Sequence, residues 1–203
     1  MADNYTLSRD RAQAYFLGFD QNLLIRTWNL KHDEAFLYVT FLGRPYSICR
    51  RSGMVTRLWS GRQAEFEEVL SIFDFLCHRG TEKQLSGNFA PVNSLQGCPR
   101  TVGVGTDFHS KIADRFEQDP KAFRSACLAL GATPVDMGDM GFWFPVFDRV
   151  SVILKFYHAD EDFPASLTLL WDDRTLDFIF YETVFYVAGF LCHCILEKMK
   201  GEQ

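Results

Sequence analysis

The chain is predicted to be an α+β protein: one domain over residues 1–203, with a mainly antiparallel sheet packed against several helices, including N- and C-terminal ones. Three observations predict it. Helical and strand-like patterns come in blocks, in the order helix, strands, helices, strands, helix, and do not alternate one by one. The strand-like runs are joined by turn signals short enough for hairpins. The 203 residues contain no internal repeat, low-complexity tract or composition break that would require a second domain.

Each element follows from its spacing. From Ser8 to Trp28, Ala12, Tyr15, Phe16 and Phe19 recur at helical intervals, with Ser8 as the N-cap. Glu34 to Trp59 holds short β-branched and aromatic runs broken at "GRP" and "SG", which reads as two hairpins or a three-stranded meander. "RQAEFEEVLSIFDFLCHRG" returns to the helical period. Phe66, Val69, Leu70 and Phe73 share a face, Leu76 and Cys77 lie beside them, and Gly80 is the stop. Thr81 to Gly105 is a Gly-, Pro-, Ser- and Asn-rich connection, long enough to suggest a functional loop. Two short helices follow, Phe108–Glu117 and Lys121–Leu130. Then come three strand-like runs, "GFWFPVF", "RVSVILKFY" and "ASLTLLW", and a closing helix from Tyr181 to Lys198.

Composition excludes several classes. The formal net charge is -5, and the densest basic patch, "RPYSICRR", is too small to neutralise a nucleic-acid backbone, so no nucleic-acid partner is expected. "TVFYVAGFLCHCIL" is too short for a membrane span, and no membrane partner is expected. "MADNYTLSRDRAQAY" lacks the apolar core of a secretory signal. Six irregularly spaced cysteines then read as reduced thiols of a cytoplasmic protein. Twenty Phe residues imply a Phe-rich core or an aromatic-lined ligand pocket.

The stretch "HADEDFPASLTLLWDD" concentrates five carboxylates. Alternation in Val150–Tyr157 and in Leu167–Asp172 makes it a hairpin whose loop is "HADEDFP", with Pro164 opening the second strand. Asp160, Glu161 and Asp162 then sit at one end and Asp172 and Asp173 at the other, roughly 23 Å apart at the usual strand rise. One cation or one acid/base pair cannot span that distance. Two separate ends remain. The first is a charged turn or a site formed with His158. The second is a turn-forming or capping Asp172, or a ligand contact beside Trp171. The candidate ligand-binding residues are therefore Trp171, Asp172, His158, Asp160 and Glu161.

Other constellations carry less. Cys192 and Cys194 lie on widely separated sides of a helix and no C-x-x-C pair exists, so no metal site is expected. "TVGVGTDFHSK" places Gly103 and Gly105 before a helix capped by Thr106 or Asp107. It lacks both nucleotide-binding glycine patterns, and Asp107 opposes an anion.

"FLGRPYSI", "GDMGFWFPVF", "DEDFPA", "LLWDD" and Glu182 occur in that order. Together they resemble the prokaryotic domain-of-unknown-function 3786 family over nearly the whole chain. The family's hairpin is similar, with a "DEEFPA" turn and an "LFD" strand end; here Asp162 replaces the second Glu and Trp171 the Phe. The resemblance implies a cytoplasmic protein of anaerobes, sometimes fused to a cysteine-rich iron–sulfur module, which these cysteine spacings do not provide. It supplies no activity, and the cofactor stays unknown.

The function expected is a small-molecule or cofactor-binding module of anaerobic metabolism, with a tetrapyrrole as one ligand type. One alternative is a metal- or carboxylate-dependent enzyme using Asp160, Glu161 or Asp172 with His158. Another is a protein-interaction adaptor or homodimer formed through exposed aromatics.

Overall fold

The structure is a computed structural model that describes residues 4–78, 84–98 and 106–201, with side chains from 6 and 110 onward in the first and third segments. The expected stop at Gly80 and the glycines at 103 and 105 lie outside the described residues, as do the side chains of Thr106 and Asp107. The α+β class is observed, with the strands divided between two antiparallel sheets. The chain forms two compact units. One comprises Met1–Lys83 with Asp177–Val187, the other Gln84–Leu176 with Ala188–Gln203.

The first unit begins with α1 (Asn4–Leu17) and α2 (Gln21–Trp28), where the sequence suggests one helix from Ser8. Ser8 lies inside α1 and is not a cap. The break comes at Gly18, after which the Asp20 carboxylate accepts the amides of Asn22 (2.9 Å) and Leu23 (3.2 Å) and starts a new helix. An apolar stripe continues across that break, which is why periodicity alone does not reveal it. Next come β1 (Lys31–His32), β2 (Phe36–Phe41), β3 (Arg44–Cys49) and β4 (Val55–Arg57), an antiparallel meander in sequence order. The β2–β3 turn is Leu42-Gly43, with φ of 47° and 71°. Both signs suit the right-handed twist of the strands, at some strain for a leucine.

α3 (Phe66–Cys77) packs on α1 through stacked Phe16 and Phe73 rings, 4.6 Å apart. Trp28 fixes α2 to the end of α3 by donating its indole N–H to the Leu76 carbonyl at 3.0 Å. Residues 177–187 complete this unit. They include Asp177, the last residue of the 3-10 turn Thr175–Asp177, and the start of α6 (Tyr181–Met199).

In the second unit the described part of the 81–105 connection, residues 84–98, carries regular structure that its composition does not suggest. It contributes β5 (Phe89–Pro91) and a 3-10 turn, Val92–Ser94. α4 (Thr106–Gln118) and α5 (Pro120–Ala129) follow, the latter started by Asp119, whose carboxylate accepts the Ala122 amide at 2.9 Å. β6 (Thr133–Val135), β7 (Met140–Phe147), β8 (Val150–Tyr157) and β9 (Ser166–Asp172) complete a sheet in the order β5-β9-β8-β7-β6. Pro145 lies at a register irregularity of β7, beyond the residues that pair with β6, where a missing amide is tolerated. Phe116, Phe123, Phe142 and Phe156 interlock at centroid distances of 4.3 to 6.4 Å, so much of the phenylalanine content is core.

Candidate functional site

The acidic stretch forms the expected hairpin. β8 and β9 pair from Tyr157↔Ser166 to Val152↔Trp171, which puts Asp160–Asp162 and Asp172 at opposite ends. β9 begins at Ser166, so Pro164 belongs to the loop and does not open the strand. At the turn, Asp160 folds onto its own backbone. Its Oδ1 accepts the amides of Asp162 (2.9 Å) and Phe163 (2.7 Å), and Glu161 is exposed.

His158 faces other partners. Its Nδ1 lies 2.7 Å from Glu117 Oε2 on α4, and its backbone N–H donates to Asp139 Oδ2 at 2.8 Å. Its ring meets Phe156 edge-on. Glu117, some forty residues upstream, was invisible to a reading of local spacing. The neighbouring Gly138 explains part of the "GDMG" motif: at φ 66° it approaches β8 so closely that a Cβ would sit 2.6 Å from the Phe156 carbonyl oxygen.

Asp172 and Trp171 are both buried, each at 1% exposure. Asp172 Oδ2 accepts the Gly87 amide at 2.7 Å; Oδ1 accepts the Ser86 amide at 3.2 Å and the Arg174 amide at 2.9 Å. The Ser86 hydroxyl lies 3.4 Å from both oxygens. The carboxylate therefore anchors the 84–98 segment to the strand end, and protein donors occupy both of its oxygens. The long connection and this acidic end do meet, and what they make is a bracket.

A cavity of about 220 Å³ lies in the first unit. Its rings are Tyr15 of α1, Phe73 of α3, and Phe180 and Tyr186 at and within the start of α6. Asp74 organises it. Helical spacing puts Asp74 beside Leu70 and Cys77 on α3, and its Oδ2 reaches across to accept the Phe180 amide (2.7 Å) and the Thr183 hydroxyl (2.5 Å). That caps α6 from outside its own sequence. Asp74 Oδ1 lies 3.3 Å from Nδ1 of His78, whose ring meets Phe180 edge-on.

Glu182, the last of the residues that carry the family resemblance, is exposed and lines the cavity from the first turn of α6. Burial, and then the charge of Asp74, push the Cys77 thiol up to about 12, so at neutral pH it is a protonated, unreactive wall. None of these residues was among the candidate ligand-binding residues named from the sequence. The available signal was weak: an acidic residue, Asp74, at i,i+3 and i,i+4 from apolar positions on an otherwise apolar helix face.

A second polar centre in this unit was also missed. Glu68 is fully buried, accepts the Tyr46 hydroxyl at 2.6 Å, and is gripped by the guanidinium of Arg57. Its Oε2 also accepts the Glu65 amide at 2.7 Å. A buried ion so fully paired holds α3 to the sheet and has no oxygen to spare. Among the described residues no three His, Cys, Asp or Glu side chains converge where they could hold a metal ion. No described helix is long and apolar enough to cross a membrane.

The fold and site define an α+β protein with two antiparallel sheets and an aromatic-walled cavity in its first unit. The chain belongs to the family described as Domain of unknown function (DUF3786), whose model matches residues 22–194. No curated protein and no solved structure matches it.

Proposed function

We propose that the chain is a small-molecule-binding module of anaerobic, cytoplasmic metabolism, and that its ligand occupies the cavity bounded by α1, α3 and the start of α6. One observation carries this reading: an opening of about 220 Å³ walled by four aromatic rings, with carboxylates at its edge. Pockets of this character, mostly apolar with a few placed polar groups, are the usual form of ligand sites.

Size narrows the class. An engineered apolar cavity of roughly 150 Å³ holds benzene. By proportion this one takes roughly nine non-hydrogen atoms, far fewer than a tetrapyrrole. The ligand is then a compact molecule with an apolar body. Free thiols at all six cysteines support a reducing compartment.

Thermal unfolding against a panel of small metabolites tests the proposal. A ligand at a hundredfold excess over its Kd raises Tm by roughly 5–10 °C. Leu70→Trp, which fills the cavity, abolishes that shift. A panel without any shift, or a shift that survives Leu70→Trp, removes the cavity as the binding site.

A further inference from the structure

We infer that this cavity selects a small organic cation, a protonated amine carried on an apolar body; the inference rests on the cavity being the ligand site. Among the described residues the lining combines aromatic rings (Tyr15, Phe73, Phe180, Tyr186) with two carboxylates, Asp74 and Glu182, and includes no Lys or Arg. Aromatic rings attract a cation through their quadrupole, and carboxylates attract it directly, whereas an anionic ligand is repelled by both carboxylates.

The positive end of α6 does not reverse this. It is already answered by Asp74, which accepts the Phe180 amide and the Thr183 hydroxyl. Asp74 therefore acts on a ligand through its charge at short range. The Glu182 side chain has no hydrogen bond or ion pair among the described residues, and it is the carboxylate left to touch an ammonium group. Because Glu182 is exposed, its share is screened by salt, so the preference for a cation weakens as ionic strength rises.

Three probes of one shape separate the possibilities: benzylammonium, benzyl alcohol and benzoate, titrated into the full chain and followed by calorimetry or NMR. Benzylammonium binds about tenfold tighter than benzyl alcohol, and benzoate does not compete. Glu182→Gln removes most of that preference, lowering benzylammonium affinity far more than benzyl alcohol affinity, and Tyr15→Leu reduces it. Equal affinity for the cation and the alcohol, lost for both in Leu70→Trp, overturns the charge selectivity and leaves the cavity as the site. Absence of binding by every probe, or binding untouched by Leu70→Trp, overturns both readings. Ala12→Phe replaces Leu70→Trp as the blocking variant should the latter unfold.

Discussion

Asp74 and Asp172 are both carboxylates that hold a distant segment in place, yet their surroundings differ. Asp172 receives the amides of Ser86, Gly87 and Arg174, and its side chain is buried. Asp74 receives one amide, one hydroxyl and an imidazole, and it borders open volume. A carboxylate surrounded by backbone amides is finished as a structural element. One that caps a helix at the edge of a cavity still contributes charge to whatever enters. Acidic residues that stand out in a sequence by density are thus poor guides to a site, because density says nothing about the donors that meet them.

Replacing each aspartate sharpens this contrast. Asp172→Ala takes the buried carboxylate acceptor away from the amides of Ser86, Gly87 and Arg174 and costs about 3 kcal/mol. Denaturant unfolding measures the loss, and hydrogen exchange at Ser86 and Gly87 speeds up alongside it. A loss within about 0.5 kcal/mol, the ordinary range for surface changes, would mean the bracket does not hold the 84–98 segment.

Asp74→Ala removes a cap and a hydroxyl partner and costs less, about 1–2 kcal/mol. It also weakens ligand binding in the cavity, which Asp172→Ala does not. Equal binding losses in the two variants would erase the distinction between them.

The smallest effect on stability comes from the cysteines. Cys77, raised to about 12, gives stability that is complete below about pH 9 and declines as pH climbs toward 12, because the unfolded thiol ionises first. At neutral pH it contributes no pH dependence. Cys49 is shifted the other way, downward, by the hydroxyl and then the amide of Ser52. Iodoacetamide at pH 7.5 therefore labels Cys49 well before Cys77, as mass spectrometry of the tryptic peptides will show. Faster labelling of Cys77 would reveal a cavity wall more open, and a thiolate more populated, than the burial of its sulfur allows.

Much of the architecture could be read along the chain. The hairpin of β8 and β9, the helix pair α4 and α5, and the closing helix α6 all follow from periods of 2 and 3.6 residues and from their turn signals. The opposition of the two acidic ends also followed, since strand rise alone decides it. Less legible were the short edge strands β1, β5 and β6, two or three residues each, which make no periodic pattern of their own. The break between α1 and α2 was hidden for the opposite reason: the apolar stripe runs on through it.

The candidate site was hardly legible at all. Asp172 meets Ser86 across 86 residues, and Asp74 meets Thr183 across 109. Neither separation leaves a trace in local spacing. By itself, then, the sequence determined the α+β class, the family, and the fact that the five clustered carboxylates act apart. Only the tertiary structure decided that the strands divide into two sheets, that Asp172 is enclosed by amides, and that Asp74 opens onto a cavity. Periodicity reports which face of an element is buried; the partner that buries it is chosen by packing between segments far apart in the chain.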